Sequence, residues 1–413
     1  MIVDELVISV SVFEAMEPLI VTSRLFGLFP ITYTNDGKTY RLNWSIAYGL
    51  YTYTLSLVLA VATVLGLISD IKKHPKDALR MTDEKTRFVT CGDISIVIII
   101  VVFAAITVHS KIRKIWKLMI VLNKTDNIIP FKNSGRIRKT SIYFISTVVI
   151  ATVFVFTYDI ILKSKGKDRL DYLKTYLSFY VSYFIVIMMA VFYWHVIFLI
   201  KTRITSLNDN LKAARDLNLE SNFCMNMVGL QHLHDSIPNS KRNSIKDSRH
   251  INTIVTNKKD SPDLGKNKIL EAVAIVNNSM ELCIHILMLS CLLHLIVTPY
   301  FLVVKLLGSY DVFLILIEVI WLSAHIGRTL IIVEPCQICI DEHKKTSNLI
   351  YELLIIELDE QVKNSLTLLL MQLNNWKLNF SPCGFFKINR SLLTSIAGAV
   401  TTYLVILFQF KDP

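Results

Sequence analysis

The sequence predicts an all-α membrane protein of seven transmembrane helices, with a cytoplasmic N-terminus, an extracellular C-terminus and a helical anchor region on the cytoplasmic side. Three observations lead there. Of 413 residues, 53% are hydrophobic and only 19% charged, against roughly 25% charged in ordinary soluble domains. The apolar residues gather into seven runs long enough to cross a bilayer, at 44–68, 92–110, 140–162, 175–200, 281–304, 311–334 and 391–410. The connections between them are polar and unequal in charge: 31 of the 44 Lys and Arg fall on the side of the N-terminus and 13 on the other. The positive-inside rule makes the basic side cytoplasmic. Long loops count little in that rule, and leaving out the connection between the fourth and fifth runs still leaves 19 against 13.

Taken in order, 1–43 is a cytoplasmic or interfacial N-terminus. Its first 31 residues are apolar but broken by Asp4, Glu5, Glu14 and Glu17. With no basic start and no small-residue cleavage site it is not a signal peptide, and an interfacial helix is expected. Segment 44–200 holds the first four spans. In 201–268, apolar positions at helical spacing over 204–230 extend the fourth span into the cytoplasm. Residues 231–268 are polar, with little to bury, and are expected to be disordered; the serines beside basic residues there read as solvated linker ahead of kinase sites. Segment 269–375 carries spans five and six and a further apolar stretch, 349–373. Glu352, Glu357, Asp359, Glu360 and Lys363 interrupt that stretch, and so many charges at bilayer depth are too costly. It is therefore expected as a helix outside the membrane, packed on the cytoplasmic ends of spans five and six.

The last segment, 376–413, contains an uncharged run of 20 residues. At about 1.5 Å per residue it just crosses a hydrocarbon core of about 30 Å. Ser395, Thr402 and Gln409 recur every seven residues, so hydroxyl and amide groups share one stripe of an otherwise oily helix. Such a stripe suits either a water-lined surface or close helix packing.

The net charge of +11 resides in loops between oily segments, and no nucleic-acid motif accompanies it. Cys336 and Cys339 form a C-x-x-C with no second pair at zinc spacing, and Cys91, Cys224, Cys283, Cys291 and Cys383 are dispersed. No P-loop, His-Glu-x-x-His or Gly-x-Ser-x-Gly occurs. No enzyme, cofactor or metal is expected, and His294 and His325, inside apolar spans, read as packed, hydrogen-bonded histidines. A small-molecule site is better supported. Span three ends with Phe154, Phe156, Tyr158 and Asp159; span four opens with Tyr176, Tyr180 and Tyr183 on one helical face. Span five ends Thr298-Pro299-Tyr300, and span six runs from Asp311 through Glu318 to Trp321. Intramembrane carboxylates are functional candidates by default. An aromatic box with a few acceptors could stack a sugar ring or pair with a cationic alkaloid, while tyrosines at such positions also form interfacial belts.

Thr402-Tyr403, five apolar residues and Gln409-Phe410 resemble the C-terminal signature of insect gustatory receptors, and the Gly384-Phe385-Phe386 entry to this helix is similar to theirs. The resemblance implies a tetrameric ligand-gated cation channel, similar in fold to insect odorant receptors, whose last helices surround a central pore. It implies pore lining by 391–410, a constriction at Gln409 and Phe410, and packing roles for Thr402 and Tyr403. Stretch 349–373 resembles the family's intracellular anchor helix, which supplies subunit contacts. Tyr300 and Trp321 resemble sugar-pocket residues of the family, and Thr298-Pro299-Tyr300-Phe301 with Glu334-Pro335-Cys336 looks more like its fructose-receptor branch. The implied partners are a sugar or bitter plant tastant, further copies of the chain or related subunits, and membrane lipid. The implied location is the dendritic plasma membrane of a sensory neuron.

Two other classes are weighed. A G-protein-coupled receptor would need the opposite orientation, and neither Asp-Arg-Tyr after span three nor Asn-Pro-x-x-Tyr in span seven is present. A secondary transporter would usually show paired repeats with broken helices, and Pro382 has no counterpart. The sequons at Asn43, Asn123, Asn277, Asn379 and Asn389 all fall in the half expected to be cytoplasmic, where none would be glycosylated.

Overall fold

The computed structural model describes residues 5–74, 77–81, 84–128, 134–165, 168–228, 263–308, 312–356, 358, 360–375 and 378–409. In chain order these form β1 (Glu5–Ser9), α1 (Val10–Leu25), β2 (Ile31–Asn35), β3 (Thr39–Trp44), α2 (Ile46–Lys72), α3 (Glu84–Ile128), α4 (Ser134–Lys163), α5 (Arg169–Val228), α6 (Asp263–Gly308), α7 (Val312–Ile355), α8 (Glu360–Asn375), a 3-10 turn (Pro382–Gly384) and α9 (Arg390–Gln409). Six of the helices, α2 to α7, are long and apolar enough to cross a membrane; α9 is a seventh apolar helix of 20 residues.

The fold is not purely helical. Three short strands make an antiparallel sheet in the order β1-β3-β2. Leu6, Ile8, Ile31 and Leu42 are buried and the intervening residues point outward, the alternation a half-buried strand requires. The β2–β3 hairpin turns at Asp36-Gly37, where Gly37 has φ 79°, a conformation glycine adopts without steric cost. Behind the sheet lies α1, the helix expected ahead of the first span. It buries Val12, Phe13, Met16, Leu19 and Ile20 against α4 and α5, and His195 of α5 meets the Ala15 carbonyl at 3.0 Å.

Helix α5 is the centre of the bundle. In its apolar window 78% of residues are buried, against 22% in α2 and 17% in α4. The outer helices instead expose aliphatic belts such as Leu50, Leu57 and Leu65 on α2 or Ile142, Ile150 and Val153 on α4, surfaces that need lipid to cover them. Gly66 lets α2 cross α5 closely: a Cβ there would stand 2.2 Å from the Thr175 carbonyl oxygen.

On the same end of the bundle as the N-terminus, helices continue past any bilayer. The expected extension of the fourth span is present, α5 running to Val228. Most of 231–268 lies outside the described residues, but its last six residues belong to α6, which starts at Asp263. Stretch 349–373 is two helices and not one. Its first part completes α7, which ends at Ile355, and its second part forms α8, which starts at Glu360 and packs against α7. Leu349, Ile350 and Leu353 of α7 pack with Val362, Leu366 and Leu370 of α8 and with Leu211 of α5. The apolar face of α8 thus meets the extensions of the fourth and sixth spans. Polar ties fix the same region. Arg203, 1% exposed, forms a two-pronged pair with Asp126 of α3 at 3.0 and 3.1 Å, and Thr346 of α7 donates to Asn208 of α5 at 2.7 Å.

Candidate functional site

At the opposite end of the bundle, where α2, α4 and α6 end and α3, α5 and α7 begin, lies a buried polar cluster. Its keystone is Asp70 near the end of α2. Asp70 accepts the backbone N–H groups of Leu79 (2.6 Å) and Arg80 (2.9 Å) and the Tyr176 hydroxyl (2.6 Å). This folds the α2–α3 connector back onto α5 and turns the Arg80 side chain inward. Arg80 Nη2 then donates to Asp159 Oδ2 of α4 at 2.6 Å, Nε donates to the Tyr172 hydroxyl at 2.6 Å, and Nη2 also reaches the Tyr180 hydroxyl. Tyr180 donates in turn to Asp159 Oδ2, and Trp321 Nε1 of α7 donates to Oδ1 at 3.0 Å. The Asp159 side chain is 1% exposed. Burying a charge is costly unless it is paired and hydrogen-bonded. Asp159, with three donors of which one is a cation, meets both conditions.

A second tier continues toward the middle of the bundle. Trp321 packs edge-on to Tyr183 at 5.5 Å and Phe156 lies 6.1 Å from it. The Tyr183 hydroxyl meets His325 Nδ1 at 3.1 Å, and His325 lies against His294, with ring centroids 4.4 Å apart. His294 Nε2 pairs with Asp93 of α3 at 2.5 Å. Below them Arg328, 3% exposed, donates to Cys291 and Ser290, both at 3.2 Å. A polar thread therefore joins the α2–α3 connector to α3, α4, α5, α6 and α7 inside an apolar core. Linked buried hydrogen bonds of this kind demand one arrangement, because each unsatisfied member is expensive.

The sequence-derived residues divide between cluster and surroundings. Tyr176, Tyr180 and Tyr183 are 1%, 3% and 3% exposed, so they are core groups facing the site and not an interfacial belt. Asp159, Tyr180, Tyr183 and Trp321 come together as expected. Glu318 stands one turn before Trp321 and is paired with Lys305 of α6. Thr298 is buried on α6, and Tyr300 packs its ring on Phe301 at 5.5 Å. His294 and His325 are packed and hydrogen-bonded, as read from the sequence. Arg328, a charge within the sixth apolar run, lies inside the bundle. The sequence reading missed Asp70, Arg80 and Tyr172. Tyr172 had a visible signal, since it extends the tyrosine stripe by one more i, i+4 step. Asp70 and Arg80 had none, being ordinary charges near a loop.

Cys336 and Cys339 are both buried on α7, with Cys336 Sγ 3.2 Å from the Tyr193 hydroxyl. Among the described residues no group of three or more His, Cys, Asp or Glu could hold a metal ion.

Helix α9 lies beside α6 and α7. Leu392, Leu393 and Ile396 pack on the core, whereas Ser395, Thr402, Tyr403 and Gln409 are exposed. The hydroxyls of Ser395 and Thr402 donate to carbonyls four residues earlier, at 3.1 and 2.9 Å, so their lone pairs remain free to meet water. The base of the helix is pinned to α7 by Arg390, which grips Glu334 at 2.8 and 3.1 Å. Phe410 lies outside the described residues.

A family model described as the 7tm chemosensory receptor matches residues 16–242 and 267–412. The chain belongs to this chemosensory receptor family. Over 94% of this receptor and 96% of the relative, it is 26% identical to the gustatory receptor for sugar taste 43a of Drosophila melanogaster. Shorter stretches match more strongly: 81 residues, 20% of this chain and 17% of the relative, are 41% identical to the putative gustatory receptor 28b of the same fly. Among solved structures, the insect olfactory receptor OR5 of Machilis hrabei superposes with a TM-score of 0.61 at 12% identity, over 96% of this chain and 98% of that one. That likeness is one of fold. The sequence-based recognition of a gustatory receptor is therefore upheld, and the G-protein-coupled alternative is not favoured.

Proposed function

We propose that this receptor is a tastant-gated, non-selective cation channel, a homotetramer in the plasma membrane of a sensory neuron with its N-terminus in the cytoplasm. The observation that carries the reading is the orientation of α9. Its leucine-rich face packs on its own bundle, and its Ser395, Thr402 and Gln409 stripe is turned away. A lone helix encloses nothing, so a water-lined stripe requires several copies around an axis. The stripe carries no carboxylate, which argues against strong discrimination among cations. Gln409 and Phe410 form the constriction, and Thr402 and Tyr403 set the packing of neighbouring helices.

The ligand is a small tastant, a sugar or a bitter plant compound, and it binds at the Asp159, Tyr180, Tyr183 and Trp321 cluster, with Tyr176, Thr298, Tyr300 and Glu318 around it. The likeness to a receptor named for sugar taste supports this class. Binding favours the open arrangement and shifts a closed–open equilibrium, with the Arg390–Glu334 grip linking α7 to the base of α9. The chain expressed alone in a non-sensory cell should give calcium signals to members of a sugar and bitter-compound panel. Ser395→Cys, Thr402→Cys and Gln409→Cys should each react with polar thiol reagents once agonist is present. Stripe positions that stay inert while Leu404→Cys reacts would place the conduction path elsewhere.

A further inference from the structure

The cation at the centre of the site is the protein's own. The Arg80 guanidinium lies 5.6, 4.8, 5.5 and 5.3 Å from the ring centroids of Tyr172, Tyr176, Phe179 and Tyr180, with Asp159 Oδ2 2.6 Å from Nη2. Ring faces attract positive charge, and a planar guanidinium both stacks on them and matches a carboxylate. We propose that Arg80 is a tethered occupant of an organic-cation site, and that a small guanidinium- or ammonium-bearing compound takes its place. The proposal rests on reading the Asp159 cluster as the ligand site and, of the two ligand classes given for it, selects cationic bitter compounds over sugars.

The walls and the occupant have different origins. Asp159 belongs to α4, the four rings to α5 and Trp321 to α7, all fixed by helix packing. Arg80 comes from the α2–α3 connector, which Asp70 holds through two backbone N–H groups. Withdrawal of Arg80 therefore leaves the cage standing.

The charge balance selects the replacement. With Arg80 in place, one oxygen of Asp159 is taken by Trp321 and the other by Arg80 and Tyr180. Without it, the neutral Tyr180 and Trp321 remain as donors around a buried anion. Among the described residues the other cation facing Asp159 is Lys163, which also faces Glu318. A neutral polyhydroxyl compound cannot restore the missing charge, whereas an organic cation restores both the charge and the ring contacts.

The test uses the full chain purified in detergent, thermal unfolding as readout, and methylguanidinium as probe, with sodium chloride at equal ionic strength as control. Arg80→Gly should unfold at a lower temperature than wild type, and millimolar methylguanidinium should restore much of the loss along a saturating curve. Wild type should respond only at far higher probe concentrations than Arg80→Gly, because the probe must first displace the tethered Arg80. Adding Asp159→Asn to Arg80→Gly should abolish the response. Asp70→Asn keeps the cage and Arg80 but frees the connector. It should respond with a half-saturation roughly tenfold weaker than Arg80→Gly, since the tethered side chain still competes. Folding of Arg80→Gly only in the presence of the probe would also support the proposal. No response in Arg80→Gly, the outcome if Lys163 swings in to neutralise Asp159, overturns it. So does an equal response in the Asp159→Asn background. If Arg80→Gly yields no folded protein even with the probe, an unresponsive Asp70→Asn is decisive against. None of these readouts needs a conducting channel, so a failure of the channel reading and a failure of the cage are separable.

Discussion

Tyr176 and Asp70 stand 106 positions apart in the chain and share a 2.6 Å hydrogen bond inside the bundle. The same carboxylate holds the backbone of Leu79 and Arg80, so one residue of α2 sets both the course of a connector and its docking on α5. Removing the Tyr176 hydroxyl tests how much of the site depends on that link. Tyr176→Phe keeps the ring under Arg80 and deletes a hydrogen bond to a charged group, at a cost of about 1.5–3 kcal/mol. A lower melting temperature of the detergent-purified chain is expected. Melting unchanged from wild type would show that Asp70 holds the connector unaided.

Gly66→Ala should force α2 and α5 apart. The new methyl group would sit 2.2 Å from the Thr175 carbonyl oxygen, backbone that cannot swing aside. Overpacking of this kind costs about 1–3 kcal/mol. Thermal unfolding and surface expression measure it, and because Thr175 directly precedes Tyr176, weaker tastant responses should accompany the loss.

At the opposite end, Arg203→Ala should be the more damaging change. It strands Asp126 in a site where both side chains of the pair are under 7% exposed, and breaking such a pair costs about 3–5 kcal/mol. The double variant Arg203→Met with Asp126→Leu should regain much of the lost melting temperature. A double variant no better than Arg203→Ala would show that the pair is needed for more than charge neutralisation.

Trp321→Ala should abolish tastant-evoked calcium signals at normal surface expression, and Trp321→Phe should leave a partial response. The ring remains in the second case, but the Nε1 donor to Asp159 is gone. Equal signals from all three chains would remove Trp321 from the ligand site.

Phe410→Ala should pass current without ligand, because the constriction loses its apolar ring. Recording resting conductance in cells with matched surface expression checks this. A silent resting state in that variant would move the gate away from the end of α9.

Much of this receptor could be read from local pattern. The run lengths gave the six helices long and apolar enough to cross a membrane, the seven-residue recurrence of Ser395, Thr402 and Gln409 gave an exposed face of α9, and the spacing of Tyr176, Tyr180 and Tyr183 gave one face of α5. Each is a property of a single helix, where 3.6 residues per turn decides which side chains share a side. The helix expected near the N-terminus is α1, whereas the sheet beside it was not expected, although the alternation of Leu6 and Ile8 and the Asp36-Gly37 turn carry its signal.

What the sequence determined by itself is the membrane class, the family and which faces of which helices carry polar groups. Only the tertiary structure decided which of those faces meet. Asp159 is joined to Arg80 across 79 positions and to Trp321 across 162, and no periodicity spans such separations. The reason lies in the cost of burying charge: Arg80 looks like any loop cation until the packing of α4 against α5 and α7 leaves a carboxylate that water cannot reach.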